Sequence, residues 1–128
     1  MSPVSDFLIR IKNASMAGKP FVSAPYSNMK FAIAKLLKEK GFVGEVHKKG
    51  RKNGKYLEVG ILYDNKKSKV NDIKLMSKPS RRTYGKVKEV RAYRQGYGIT
   101  VYSTPKGILA DSDVKRENVG GEILFKIW

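Results

Sequence analysis

The side chains able to do chemistry in this sequence are hydroxyls, cations and glycines gathered in three short segments. Ser103-Thr104-Pro105-Lys106-Gly107 puts two hydroxyls, an ammonium and a bare glycine backbone in one turn. A hydroxyl both donates and accepts, so it can read a base edge or a ribose 2′-OH. Gly107 lets a sugar or phosphate come close to the main chain. The same five residues also make a good turn, and spacing alone does not choose between the two readings. Ser77 to Tyr84 is the second segment. Pro79 fixes backbone shape there, Arg81 and Arg82 offer forked donors for phosphate, and Tyr84 offers a ring to a base, a ribose or the core. Val119-Gly120-Gly121-Glu122 is the third, with two glycines suited to a tight turn or a close approach.

A catalytic reading finds little support. His47 is the single histidine and has no partner for a metal site or a triad. Asp111, Asp113 and Glu117 lie close together, but aspartates at a helix start usually serve capping and the helix dipole. Gly96-Tyr97-Gly98 lacks the surroundings of a nucleotide-binding loop. Neither catalysis nor a cofactor or metal is expected.

Charge points to the partner. Twenty-seven Lys and Arg face eleven Asp and Glu, a net charge of +16. Folding needs no such excess, because like charges repel in the compact state. Binding a polyanion gains from it, through release of condensed counterions. Residues 1–64 hold twelve basic and five acidic side chains, and 65–128 hold fifteen and six, so both halves are basic. One cluster is Lys48, Lys49, Arg51, Lys52 and Lys55; a second is Lys78, Arg81, Arg82, Lys86, Lys88, Arg91 and Arg94. The first reads equally as a solvated turn or as an arm reaching RNA phosphates. No apolar run approaches the ~20 residues that span a bilayer, and no membrane partner or small-molecule substrate is expected. With no cysteine and no secretion signal, the expected setting is cytoplasmic.

The elements that must position these residues are legible in outline. Pro3 suits a first helical position after a Ser2 cap, and Val4, Phe7, Leu8, Ile11 and Ala14 recur at helical spacing. Ser27 can cap a second helix with Met29, Ala32, Ile33, Leu36 and Leu37 on its apolar face. Strands are expected at 42–47 and 55–63 around a basic tip, with another around Val70 to Leu75. Beyond Ser77 the pattern predicts a helix or turn at 86–95 and strands at 98–102, 106–109 and 122–127. A short helix is expected from Asp111 to Glu117. The fold expected is α+β: an amino-terminal α-β-α-β-β lobe over 1–76, and a β-rich carboxy-terminal lobe with one short helix over 77–128.

The three segments together closely resemble the bacterial form of the eighth small-subunit ribosomal protein. Ser5-Asp6 with Arg10, Ile11 and Asn13 fits the same family, as does Ala34-Lys35-Leu36-Leu37-Lys38 leading into Gly41-Phe42. The likeness runs through the whole chain, in order. It implies a structural protein that binds a central-domain helix of small-subunit ribosomal RNA and helps organise the platform beside other ribosomal proteins. It implies that Ser103, Thr104, Pro105, Lys106 and Gly107 meet an exposed base, with Gly120, Gly121 and Glu122 shaping the same surface. Arg81, Arg82, Lys55, Ser27 and Lys30 are then expected at phosphates or sugars, with Tyr84. Pro105 departs from the family's usual Ser, which removes a hydroxyl and an N–H and stiffens the loop. Phe125 stands where Cys is frequent, and Tyr84 to Val90 drifts from the usual pattern. A free RNA chaperone would want a disordered annealing segment, and an RNA-modifying enzyme would want an acid–base pair or cofactor loop; the sequence shows neither.

Overall fold

The computed structural model describes residues 3–52, 54–77, 82–85 and 98–128. The helix or turn expected at 86–95 lies outside the described residues, as does Arg81. The chain divides into two compact units, Pro3–Asn71 and Asp72–Trp128.

In the first unit the order is α1 (Pro3–Met16), β1 (Phe21–Pro25), α2 (Asn28–Glu39), β2 (Val43–Lys49) and β3 (Tyr56–Ile61). The expected α-β-α-β-β pattern is what forms. The Ser27 hydroxyl accepts from the Lys30 amide at 3.1 Å and starts α2. Gly18 (φ 69°) and Gly41 (φ 84°) follow the two helices in the left-handed conformation that glycine allows. Strand β3 is central, antiparallel to β1 on one edge and to β2 on the other. Strict alternation sends Leu57, Val59 and Ile61 inward, where they are buried with Phe7, Leu8 and Ile11 of α1 and Ile33 and Leu37 of α2. The Tyr63 hydroxyl bonds the Lys19 carbonyl at 2.6 Å and the Ala14 carbonyl at 3.3 Å, tying the end of α1 to the segment that follows β3. A small hairpin follows, β4 (Tyr63–Asp64) with β5 (Lys67–Ser68). Asn65 and Lys66 take positive φ between these strands.

The second unit contains β6 (Ile73–Leu75), β7 (Tyr84–Gly85), β8 (Ile99–Thr104), β9 (Gly107–Ala110), α3 (Asp111–Glu117) and β10 (Gly121–Ile127). Here the structure corrects one expectation. The strand around Val70 to Leu75 was grouped with the amino-terminal lobe, but Ile73–Leu75 pairs with β10. Its hydrogen-bonding partner, more than its place in the sequence, decides where it belongs.

Strand β10 organises this unit. It runs antiparallel to β8, while β6 and β7 also pair with it, β6 against Phe125 to Ile127 and β7 against Gly121 and Glu122. The register with β8 shifts between Ile123 and Phe125, so Leu124 is an extra residue and the strand bulges. The Leu124 carbonyl then accepts from the Met76 amide at 3.0 Å. Ser77 closes a clasp beside it. Its hydroxyl accepts from the Thr83 amide at 2.9 Å and donates to the Ile123 carbonyl at 2.6 Å. The Ile123 amide donates to the Thr83 carbonyl at 2.7 Å. Residues 82–85 are thereby delivered to the edge of β10. On one face Tyr102, Ile123 and Leu109 pack against Val114 of α3.

Ser77→Ala removes a donor and an acceptor from this clasp and leaves the Thr83 amide unpaired. A loss of about 1–3 kcal/mol is expected, read as a lower denaturant midpoint at unchanged m-value.

Candidate nucleic-acid interface

The three segments singled out in the sequence meet at the Gly121 end of β10. Tyr84 pairs with Glu122, and Glu122 pairs with Ser103 on its other side. Directly opposed residues in antiparallel strands share a face, so Tyr84, Glu122 and Ser103 stand in one row across β7, β10 and β8. The row brings together positions that are up to 38 residues apart.

Glycine makes the row possible. A side chain on Gly121 would fall on the carbonyl oxygen of Ser103, so only glycine lets the two strands approach. Gly85, opposite Gly121, sits with its Cα against Ile123 and Tyr102, where a methyl would be crowded at 3.2 Å. Arg82 reaches back to Glu122. Its Nη1 donates to both carboxylate oxygens, at 3.1 and 3.3 Å. Tyr84 is 69% exposed. The Ser103 hydroxyl makes no hydrogen bond among the described residues.

The loop from Ser103 to Gly107 is a tight hairpin connection in which Thr104 pairs with Gly107. Pro105 occupies the first turn position, which suits its fixed φ, and Gly107 takes φ 114°. The Thr104 hydroxyl accepts from the Lys106 amide at 3.1 Å and donates to the Gly107 carbonyl at 2.8 Å. Its one proton is therefore committed within the loop, and it faces outward only as an acceptor. From the sequence it is donor and acceptor alike; the fold removes the donor. Lys106 is also engaged: its Nζ lies 3.4 Å from the Glu117 carboxylate and 3.3 Å from the Glu117 carbonyl. Glu117 was set aside in the sequence as part of the helix start. Its link to Lys106, eleven residues away, left no mark in the spacing.

Asp111 and Asp113 do serve the start of α3. Asp111 accepts from the Ser112 amide at 3.0 Å and Asp113 from the Ala110 amide at 3.4 Å. Asn118, with φ 54°, ends the helix in the conformation that glycine usually supplies. Gly120 precedes β10 in the loop beyond it.

In the other unit the expected contacts fare unequally. Lys30 was grouped with phosphate ligands, but it is only 5% exposed and its ammonium donates to the Pro25 carbonyl at 2.8 Å. It braces the turn between β1 and α2 from inside. Ser27 is half-buried and spends its hydroxyl on capping. Lys55 is exposed at the hairpin tip. Among the described residues, no group of three or more His, Cys, Asp or Glu is placed to hold a metal ion. No helix among them is long and apolar enough to cross a membrane.

An α+β fold with a row of ring, carboxylate and hydroxyl beside a stiff hydroxyl-and-glycine loop, on a chain of +16, defines a basic scaffold for binding. The family model described as ribosomal protein S8 matches residues 2–128. The small ribosomal subunit protein uS8 of Mycoplasmopsis synoviae (strain 53) is 42% identical over 127 residues, covering 98% of this chain and 96% of the relative. The uS8 proteins of Helicobacter pylori (strain Shi470) and Helicobacter acinonychis (strain Sheeba) are each 37% identical over 126 residues, with the same coverage. The chain belongs to the ribosomal protein S8 family, whose members are structural and non-enzymatic.

Two substitutions test the geometry. Gly121→Ala forces β8 and β10 apart, and a stability loss of about 1–3 kcal/mol is expected, together with weaker RNA binding measured at a temperature where the variant is folded. Glu117→Gln releases Lys106 from a mostly exposed pair worth about 0.2–1 kcal/mol. RNA affinity should rise, by no more than about five-fold, in a filter-binding titration.

Proposed function

We propose that this chain is a structural component of the small ribosomal subunit that binds a helix in the central domain of small-subunit ribosomal RNA. In this reading it helps organise and assemble the platform alongside neighbouring ribosomal proteins. The observation that carries the proposal is the row Tyr84–Glu122–Ser103 beside the Ser103–Gly107 loop. One surface there offers a hydroxyl unpaired among the described residues, an acceptor-only hydroxyl, a glycine backbone and an exposed ring. Those are the groups that recognise an unstacked base and its ribose.

Each residue has a distinct part. Ser103 supplies a hydroxyl with no hydrogen bond among the described residues. Thr104 holds the loop and presents one lone pair. Pro105 and Gly107 set the loop's shape. Gly121 allows the strands to close, Gly120 leads into β10 beside it, and Glu122 orients Arg82. Because Arg82 uses only Nη1 on Glu122 among the described residues, Nη2 and Nε stay available to a phosphate. Arg81 extends the same basic segment and Tyr84 supplies the ring.

Binding isotherms across a salt series separate positioning from reading. Arg82→Ala should weaken every RNA and flatten the slope of log K against log salt by about 0.7–0.9. Ser103→Ala should weaken only the central-domain helix, by about three- to ten-fold, as one neutral hydrogen bond would, with no change of slope. Equal losses on target and random RNA for Ser103→Ala would refute the patch. Thr104→Ser keeps both loop bonds and should behave as wild type, whereas Thr104→Ala loosens the loop and should not.

A further inference from the structure

The hairpin between β2 and β3 carries a separate concentration of charge. Lys48, Lys49, Arg51, Lys52 and Lys55 fall within eight residues that contain no carboxylate. In the structure these five cations divide into two groups. Lys48 rests over the Tyr26 ring, 4.6 Å from its centroid, and Lys49 bonds Glu58 at 3.1 Å. Lys48 is thus held against the β1–α2 connection and Lys49 against β3. Arg51, Lys52 and Lys55 are exposed and make no side-chain ion pair or hydrogen bond among the described residues.

The backbone beneath them is shaped. Gly50 takes φ 92°, and a side chain there would strike the Gly54 carbonyl. The Gly54 amide donates to the Arg51 carbonyl at 2.9 Å, and the Tyr26 amide to the Lys55 carbonyl at 3.2 Å. The loop is thus closed on itself and latched to the end of β1. Charge concentrated on such a loop costs self-repulsion unless an anion relieves it. Tyr56 pairs with Pro25 and Lys49 and is 37% exposed, so a ring lies on the outer face close to the cations. The stretch from Lys48 to Lys55 has no apolar side chain to insert into a lipid layer.

We propose that this tip is a second RNA-binding site, in which Arg51, Lys52 and Lys55 hold phosphates of a ribosomal RNA segment independently of the Ser103–Gly107 surface. The proposal rests on the reading that the chain binds ribosomal RNA. Lys48 and Lys49 serve it by fixing the base of the loop. Contacts of this kind position the protein and carry no sequence information.

The full-length triple variant R51A/K52A/K55A, titrated with small-subunit ribosomal RNA over a salt series, tests it. Three phosphate contacts at about 0.7–0.9 each predict a slope shallower by about 2, with preference for target over random RNA unchanged. Gly50 and Gly54 are untouched and the three side chains are exposed, so the thermal midpoint should match wild type. A slope within about 0.5 of wild type overturns the proposal. So does an unchanged slope combined with loss of the variant from assembled subunits, which would assign the tip to an acidic protein. Ser103→Ala run in parallel keeps the two readings apart: its loss of preference beside an unaltered triple variant rejects only the tip. The chain has no cysteine, so Lys52→Cys bearing an iron chelate gives an independent readout. Cleavage at discrete nucleotides supports the site, and cleavage no greater than with free chelate rejects it.

Discussion

The close approach of Gly121 to the Ser103 carbonyl is the constraint on which the second unit turns. It lets β10 lie against β8 at the end where the loop begins, and it sets the register that opposes Glu122 to Ser103. The bulge at Leu124 then lets β10 take β7 beside one part and β6 beside the other. Ser77 fastens the chain between them. Remove the glycine and the strands part; the ring, the carboxylate and the hydroxyl no longer share a row. The site is a product of backbone pairing, and its side chains are passengers on that register.

Electrostatics shape the surface in a second way. Arg82 faces Glu122 and Lys106 faces Glu117, so two of the cations nearest the loop already have carboxylate partners. The Lys106–Glu117 pair is exposed and weak in water, and the Arg82 side of the other pair faces solvent, so a phosphate can compete for either cation. At the hairpin tip the arrangement is the reverse, with three cations lacking partners among the described residues. One surface is charge-moderated and the other is not, which matches a division between selective contact and general attraction to a polyanion.

Much of this was legible in the sequence. Helical spacing located α1 and α2, and Ser27 marked the start of the second helix because a cap is a local event. The alternation of β3 was equally plain. Pairing was not: Ile73–Leu75 joins β10 across some fifty residues, and nothing in a three-residue strand announces its partner. The candidate residues Ser103, Gly121 and Glu122 stand out through motif resemblance, whereas the row that joins Ser103 to Glu122 emerges only from register. Lys30 misled because a lysine's charge is visible in a sequence and its burial against the Pro25 carbonyl is not. Glu117 was missed for a related reason, since a helix-end carboxylate looks alike whether or not a lysine reaches it.

The loop from Ser103 to Gly107 has a consequence in time. Pro105 fixes one dihedral, and the Thr104 hydroxyl ties both the Lys106 amide and the Gly107 carbonyl. The free loop is therefore held in one shape by its own bonds, and in the proposed complex little ordering would remain to slow a productive encounter. In the proposed complex, association would be governed by diffusion under the field of the +16 chain, and residence by the hydroxyl contacts of the loop. Arrival and departure would then be set by different residues, so selection could lengthen the life of the complex without altering how fast it forms.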